Sequence, residues 1–470
     1  MRAPGEILLV STYELGHVPH GVALARAFLE RAGFSPASLD LSIERWDPAR
    51  IGLARLVLVS VPMHTALRLG LAFAERLRAE RPDALLGFHG LYAPLNADLL
   101  VRRGAIAVLG GECEEDLAAL AAAAERGEPL SRFVRRGPAP GRQPRLSYPV
   151  PVRDGLPPLE RYARLVAADG TERVAGYTEA TRGCKHLCRH CPVVPVYRGR
   201  FIAIPEATVV EDVARQVRDG ARHVTFGDPD FLNGPSHALR VAHAIHARFP
   251  ALTFDFTAKV EHIVARPGDV AALVREGAVF VTSAVESLSD AVLANLRKDH
   301  SREDALRAFD ICADAGLALR PSLVPFTPWS TLEDLLDLLE TFEARGWLPQ
   351  LDPVQLSIRL LLPPGSLLVE MGGLAAPALA DGCDTQLRLG PLDEEALTWR
   401  WIHPDPRMDA LQREVAAAAA DGERRREPAE ETHARILALA ALAAGRAMGP
   451  VVPTPHSGRR APRLTEHWFC

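Results

Sequence analysis

Lysine is nearly absent from this chain: 54 of its 470 residues are Lys or Arg, and only Lys185, Lys259 and Lys298 are lysines. The Ala- and Arg-rich composition points to GC-rich coding, which pushes lysine towards arginine wherever either will serve. The lysines that remain are expected where a compact ammonium is needed, with chance left to explain at least one of them. Apolar runs long enough to span a bilayer are also missing, so no membrane segment is expected. The chain opens Met1-Arg2-Ala3-Pro4-Gly5-Glu6 and passes straight into a strand, without the apolar segment and cleavage site of a secretory signal. No basic block is interleaved with aromatics and the net charge is −5, so nucleic acid is not an expected partner. Arg424-Arg425-Arg426 is offset by neighbouring Glu and reads as a solvated helix face. Seven cysteines cannot frame a disulfide-rich fold in a chain this long, and three of them fall in one short motif. A reducing cytoplasm is the expected location.

That motif is Cys184-Lys185-His186-Leu187-Cys188-Arg189-His190-Cys191, a Cys-x3-Cys-x2-Cys triplet after Thr181-Arg182-Gly183. Iron–sulfur clusters normally take four thiolates. Three thiolates hold three irons of a [4Fe–4S] cube and leave the fourth open to an exogenous ligand. The alternative is a structural zinc held by the three cysteines and either His186 or His190. Zinc sites usually add a distant second ligand pair to the first, and none is present.

Around the motif, apolar runs alternate with helical periods, the pattern of α/β architecture. In the N-terminal part the strands are expected at Ile7–Ser11, Leu56–Val61, Leu85–Phe88 and Ala105–Leu109, with helices over Val22–Ala32 and Thr65–Arg81. Prolines break any period between Gly127 and Glu172, which reads as a linker. Six further βα units follow, with strands at Gly176–Glu179, His223–Phe226, Thr253–Thr257, Phe280–Ser283, Ala318–Leu323 and Val354–Ile358. A charge-rich helix is expected over Asp405–Ala447, then a Pro-rich tail to Cys470. The expected layout is an N-terminal doubly wound domain (1–126), a linker (127–172), a partial (β/α)6 barrel (173–390), a helical region (391–448) and an extended tail (449–470).

The cysteine spacing resembles that of the radical S-adenosylmethionine (SAM) superfamily, and the series of motifs after it extends the likeness. Barrel chemistry sits at the carboxyl ends of the strands. There lie Phe226-Gly227-Asp228-Pro229-Asp230-Phe231, Lys259-Val260-Glu261-His262, Ser283-Ala284-Val285-Glu286-Ser287-Leu288 with Leu293 to Lys298, and Pro363-Pro364-Gly365-Ser366. The resemblance implies a [4Fe–4S] cluster on Cys184, Cys188 and Cys191, with SAM on the open iron and reductive cleavage to a 5′-deoxyadenosyl radical. It places Gly227, Asp228, Asp230, Lys259 and Glu286 around SAM; turn formation, surface charge and helix capping are the plainer readings of the same residues. Ser330 or Thr331 is expected to cap the following helix.

The N-terminal part resembles the cobalamin-binding domain that precedes many radical SAM barrels, with Gly110-Gly111-Glu112-Cys113-Glu114 similar to its Gly-Glu-Gly-Glu element. No Asp-x-His-x-x-Gly supplies a lower axial histidine; the corresponding loop carries His17 and His20 instead. The whole chain also resembles the CUAEP/CCAEP-tail group of radical SAM proteins, whose tail would begin at Cys470. That resemblance implies that the chain continues past Cys470 through a selenocysteine codon, and that Cys470 serves as a thiolate or thiol in catalysis on a thiophilic or arsenical substrate. The expected function is thus reductive cleavage of SAM to act on a small molecule, with one electron from an external donor such as a flavodoxin or ferredoxin. Cobalamin-dependent radical methyl transfer and a non-enzymatic iron–sulfur or zinc module are the alternatives.

Overall fold

The computed structural model describes residues 1–137, 146–370, 389–447 and 461–466. Continuous apolar runs at β1 (Ile7–Ser11) and β3 (Leu56–Ser60) are buried on both faces, as parallel strands between helices must be. With β2 (Ala37–Asp40), β4 (Leu85–His89) and β5 (Ala107–Leu109) they form a parallel sheet in the order β2-β1-β3-β4-β5. Helices His20–Arg31 and Glu114–Glu125 cover one face through Val22, Leu29, Leu117 and Leu120. His64–Glu80 and Ala97–Arg102 cover the other through Leu67, Phe73 and Leu99. The edge strand β2 was not expected, because Ala-Ser-Leu-Asp is too short and too polar to read as a strand without its neighbour.

The second sheet follows in the chain: β6 (Arg164–Val166), β7 (Glu172–Thr178), a small hairpin of β8 (Thr181–Gly183) and β9 (Phe201–Ala203), then β10 (His223–Phe226), β11 (Thr253–Thr257), β12 (Ala278–Glu286) and β13 (Ala318–Leu323). Two short strands, β14 (Leu389–Asp393) and β15 (Thr398–Trp401), pair with each other, and β16 (Arg463–Leu464) lies in the tail. The order is β13-β12-β11-β10-β7-β6-β16, with β7 to β13 parallel and β6 and β16 added antiparallel. Capping boxes at Ser301–Asp304 and Thr331–Asp334 start two of the outer helices. Thr331 is therefore the cap, while the Ser330 hydroxyl pairs with that of Thr327.

Three expectations are amended. The sixth strand, expected at Val354–Ile358, is a 3-10 turn over Pro353–Ser357, and only a single bridge, Phe326 to Arg359, continues the sheet. The amide oxygens of Gln350 and Gln355 accept from the Leu319 and Leu323 N–H groups, occupying β13's free edge where strand backbone would have paired. The helix expected over Asp405–Ala447 is two, Pro406–Arg425 and Ala429–Ala443, because Pro428 cannot continue the first. The segment expected as a linker is fastened to both layers. Tyr162 donates to Asp40, and Arg153 clamps Asp212 and the Tyr177 carbonyl.

The Arg153–Asp212 pair is buried on both sides. Arg153→Ala strands a buried carboxylate, which should cost about 3–5 kcal/mol. A lowered urea midpoint checks this, and an unchanged one would assign the pair no structural role.

Candidate functional site

The site is built on the hairpin β8–β9, which leaves the carboxyl end of β7 and carries the cysteine triplet between its strands. Gly183 precedes the first cysteine with φ +76°, a conformation that favours glycine. A Cβ there would also meet the Tyr197 ring and come within 2.5 Å of the Arg200 carbonyl. The chain then has no ladder of its own until the helix Val193–Tyr197, so side chains from other elements hold it. Asn233 accepts from the Lys185 N–H at 3.2 Å, lies 3.7 Å from Cys184 Sγ, and donates to the Gly183 carbonyl at 3.4 Å. The Arg189 carbonyl takes the Ser366 hydroxyl at 3.1 Å, and its N–H donates to Leu296 at 2.9 Å. The turn at Pro363 to Ser366 thus anchors the loop from the far side.

Cys188 is buried, Cys184 and Cys191 are half-buried, and all three are free thiols. Burial pushes Cys184 up to about 11 and Cys191 up to about 12, so neither ionises unaided at neutral pH. Each thiol also senses Cys188 as a charged neighbour, which raises it further. A soft cationic centre would displace those protons and be held by the sulfurs. The other described cysteines, Cys113 and Cys312, lie in hydrophobic cores away from the loop. Three convergent thiols with no fourth beside them among the described residues fit a cube with one open iron. A mononuclear set of Cys184, His186 and Asp230 also has donor atoms within 4.8 Å, but it leaves Cys188 and Cys191 unused. Of the two histidines considered for zinc, His190 is turned to Glu286 at 3.3 Å.

The residues expected around SAM divide into two groups. On the Cys184 side, Asp230 faces His262 at 2.7 Å and His186 at 3.7 Å, and His186 also lies 3.6 Å from Glu261. Lys259, itself buried, pairs with Glu261 at 3.2 Å. Burial first, then the Lys259 ammonium, hold His186 down at about 4, so its ring is neutral. On the other side, Glu286 takes Lys298 at 3.0 Å and His190 at 3.3 Å. Burial would raise Glu286, but the Lys298 ammonium and His190 together outweigh it and hold the carboxyl at about 2.

Gly227 and Asp228 stand apart from both groups. A Cβ on Gly227 would overlap the Tyr177 hydroxyl, and Asp228 is buried beneath the loop, accepting from the Ala180 N–H at 2.9 Å and the Thr181 hydroxyl at 2.5 Å. Both brace the cysteine hairpin from below. Cys470 lies outside the described residues. Asn233 was not foreseen; its signal is only its place three residues after Asp230, in a turn with no distinctive pattern.

The carboxyl edge of the N-terminal sheet faces this site. Arg182 reaches across to Glu114 at 2.7 Å and Glu112 at 3.4 Å, so the Gly-Gly-Glu-Cys-Glu element grips the residue two before Cys184. Tyr148 and Tyr197 donate to Glu112, and His17 packs on Tyr177 with ring centroids 4.8 Å apart. Burial pushes Glu14 and Glu179 up to about 8, which keeps this acidic seam largely neutral. A corrin would need room along this edge. Gly110 is instead used for close packing, since a Cβ there would lie 2.6 Å from Pro94 and 2.8 Å from the Gly90 carbonyl. Ser11 Oγ, both His20 ring nitrogens and His89 Nε2 find no hydrogen-bond partner, yet the cavity beside His20 measures only about 10 Å³. That is space for one water. The residues present do not fit a corrin.

Asn233→Ala removes the acceptor that positions Cys184 and leaves the Lys185 N–H and the Gly183 carbonyl without this partner, a cost of roughly 1–3 kcal/mol. Iron retained per chain after desalting should fall several-fold with the circular-dichroism spectrum unchanged, and full retention would show that the loop holds itself.

Residues 178–339 match the Radical SAM superfamily. Over 207 residues the chain is 27% identical to a tRNA-2-methylthio-N(6)-dimethylallyladenosine synthase of Fusobacterium nucleatum, covering 40% of this chain and 44% of that protein. A shorter match, 32% over 77 residues, is to the ribosomal protein uS12 methylthiotransferase RimO of Cereibacter sphaeroides, covering 16% and 17% of the two chains. The chain thus spans less than half the length of these curated relatives. Among solved structures, the cobalamin-dependent SAM radical enzyme OxsB, with aqua-cobalamin and SAM bound, aligns at TM-score 0.66 and 14% identity over 89% of this chain and 66% of that one. The radical SAM methyltransferase TsrM of Kitasatospora setae, with cobalamin and a [4Fe–4S] cluster bound, aligns at 0.56 and 17% identity over 73% and 70%. At such identities these likenesses speak for the fold: an α/β domain set against a curled half-barrel. No helix among the described residues is long and apolar enough to cross a membrane. The cysteine loop and the strands around it lie within the matched segment, so residues 178–339 form a radical SAM domain.

Proposed function

We propose that this chain is a radical SAM enzyme acting on a small molecule, with Cys184, Cys188 and Cys191 holding a [4Fe–4S] cluster. The observation that carries the reading is the set of three free thiols on one braced loop at the carboxyl end of β7, with buried polar groups on either side. When bound, cluster and SAM supply reductive carbon–sulfur cleavage, which yields a carbon radical once an external donor such as a flavodoxin or ferredoxin provides an electron. The protein binds, orients and excludes water. Lys259 offers a buried ammonium to a carboxylate, and the buried carboxylate of Asp230, beside His262, offers an acceptor to an ammonium. Both suit the amino-acid end of SAM. Neutral His186 adds a hydrogen-bonding ring without adding charge. The proposed division of labour gives residues 173–390 the chemistry and residues 1–126 the cover over its mouth, joined by residues 127–172. Residues 391–447 buttress the barrel, and Arg463–Leu464 pairs with the edge strand β6.

Anaerobically reconstituted protein should hold about four iron and four sulfide per chain. Replacing Cys184, Cys188 and Cys191 together by Ala should abolish both the iron and any release of 5′-deoxyadenosine. Stoichiometric zinc with no iron under the same conditions would overturn the reading.

Cobalamin-dependent methyl transfer is the second reading, favoured by the likeness to cobalamin-bound structures. The closed carboxyl edge of the N-terminal sheet argues against it. Aquacobalamin mixed with the reconstituted protein and passed through gel filtration should leave no corrinoid on the chain. Stoichiometric retention would reverse that preference.

A further inference from the structure

Lys298 is a buried cation in a chain that almost always uses arginine. Of the three lysines, Lys185 is exposed while Lys259 and Lys298 are buried. Of the two buried lysines, only Lys298 has no role in the reading above. It follows the helix Asp290–Leu296 between two residues in the left-handed region, Arg297 (φ 53°) and Asp299 (φ 58°). Its partner Glu286 is also left-handed (φ 64°), at a register shift that ends β12. Non-glycine residues adopt this conformation only when their surroundings impose it. Three such residues therefore position one ion pair. The same turn is tied to the cysteine loop, since the Arg189 N–H, between Cys188 and His190, donates to the Leu296 carbonyl at 2.9 Å.

The pair is also oriented. Among the charges that act on Lys298, the Glu286 carboxylate comes first and the sulfurs of Cys188 and Cys191 follow. The Cys191 thiol in turn senses the Lys298 ammonium. Glu286 is occupied by Lys298 and His190. His190, between Cys188 and Cys191 in the chain, and the Arg189 N–H set this ion pair against the cysteine loop.

We propose that Lys298 is a positioning residue for the cluster, an ammonium fixed by Glu286 beside Cys188 and Cys191 that stabilises the extra negative charge of the reduced cluster and so raises its reduction potential. Reduction adds one electron from the external donor and breaks no bond, and Lys298 keeps its proton throughout. A fixed cation in a water-poor site favours the more negative state far more than the same charge in solvent. An arginine could not replace it as a point charge, because the guanidinium is larger and planar.

The inference rests on the cluster assignment, and its test keeps the two apart. Wild type, Lys298→Met, and the double variant Glu286→Gln with Lys298→Met are reconstituted anaerobically without SAM. Each is assayed for iron and titrated by electron paramagnetic resonance. The double variant carries no unpaired buried carboxylate, so it covers the case in which the single variant folds poorly. Both variants should hold a cluster whose reduced form is less favoured by about tenfold, a shift of about 59 mV to more negative potential for a one-electron couple. A double variant that loads iron fully and keeps the wild-type potential would overturn the inference, leaving the pair a purely structural salt bridge. Wild type that binds no iron would instead remove the cluster assignment itself.

Discussion

Three thiols must be kept out of water, close together, on a stretch of chain with no hydrogen-bond ladder of its own. Much of the described site answers that constraint. A loop with unsatisfied backbone groups is costly to bury, so its N–H and carbonyl groups are taken by Asn233, Asp228, Ser366 and the Leu296 carbonyl, each from a different element. Gly183 lets the chain turn where a side chain would collide with Tyr197. The parallel sheet matters because it delivers these four supports to one end, and the phenylalanines beneath them (Phe226, Phe231, Phe254, Phe256) make that end rigid.

Charge sets the second constraint. Acidic groups crowd the seam between the two sheets: Glu112, Glu114 and Glu179 sit around the guanidinium of Arg182, and Glu14 is close enough to sense Glu179. So many carboxylates cannot all ionise in one dry seam, and burial keeps Glu14 and Glu179 protonated near neutrality. Beside the sulfurs the opposite arrangement holds. Glu286 is ionised there and its partner Lys298 protonated, because their mutual attraction and further neighbours such as His190 together outweigh desolvation. The seam and the sulfur pocket lie at the two ends of one short hairpin, yet one is tuned towards neutrality and the other towards fixed charge.

The sequence revealed most about this site where chemistry and spacing coincide. The triplet, Gly183 and the βα rhythm from Gly176 to Leu323 needed only local patterns, and the strands β1, β3, β4, β10, β11 and β13 fall close to the expected places. What escaped depends on partners distant in the chain. β2 is a strand only because β1 lies beside it, and the sixth strand is lost because two glutamines occupy its partner's edge. Within Gly227-Asp228-Pro229-Asp230 the pattern cannot say which carboxylate turns inward. Asp228 supports the hairpin from beneath and Asp230 looks towards His262, a distinction made by backbone direction. Lysine scarcity was a compositional clue that separated two buried cations from one exposed one only when burial was known.

The N-terminal domain is tied to the cysteine loop at the end of its sheet. Its sheet presents the same carboxyl edge that open α/β sheets use for binding. Here that edge ends in Ser11, Ser60, His89 and Glu112, all buried, with His17 and His20 packed against Tyr177 from the barrel. Two further tyrosines, Tyr148 and Tyr197, bond to Glu112 from the connecting segment and from the cysteine loop. The edge therefore binds the protein's own loop, and the guanidinium of Arg182 takes the place a ligand would have. Loop and edge are coupled by this exchange. A change at Glu112 or Glu114 would release Arg182, and with it the backbone two residues before Cys184. The N-terminal domain thereby becomes part of what holds the cysteines in place.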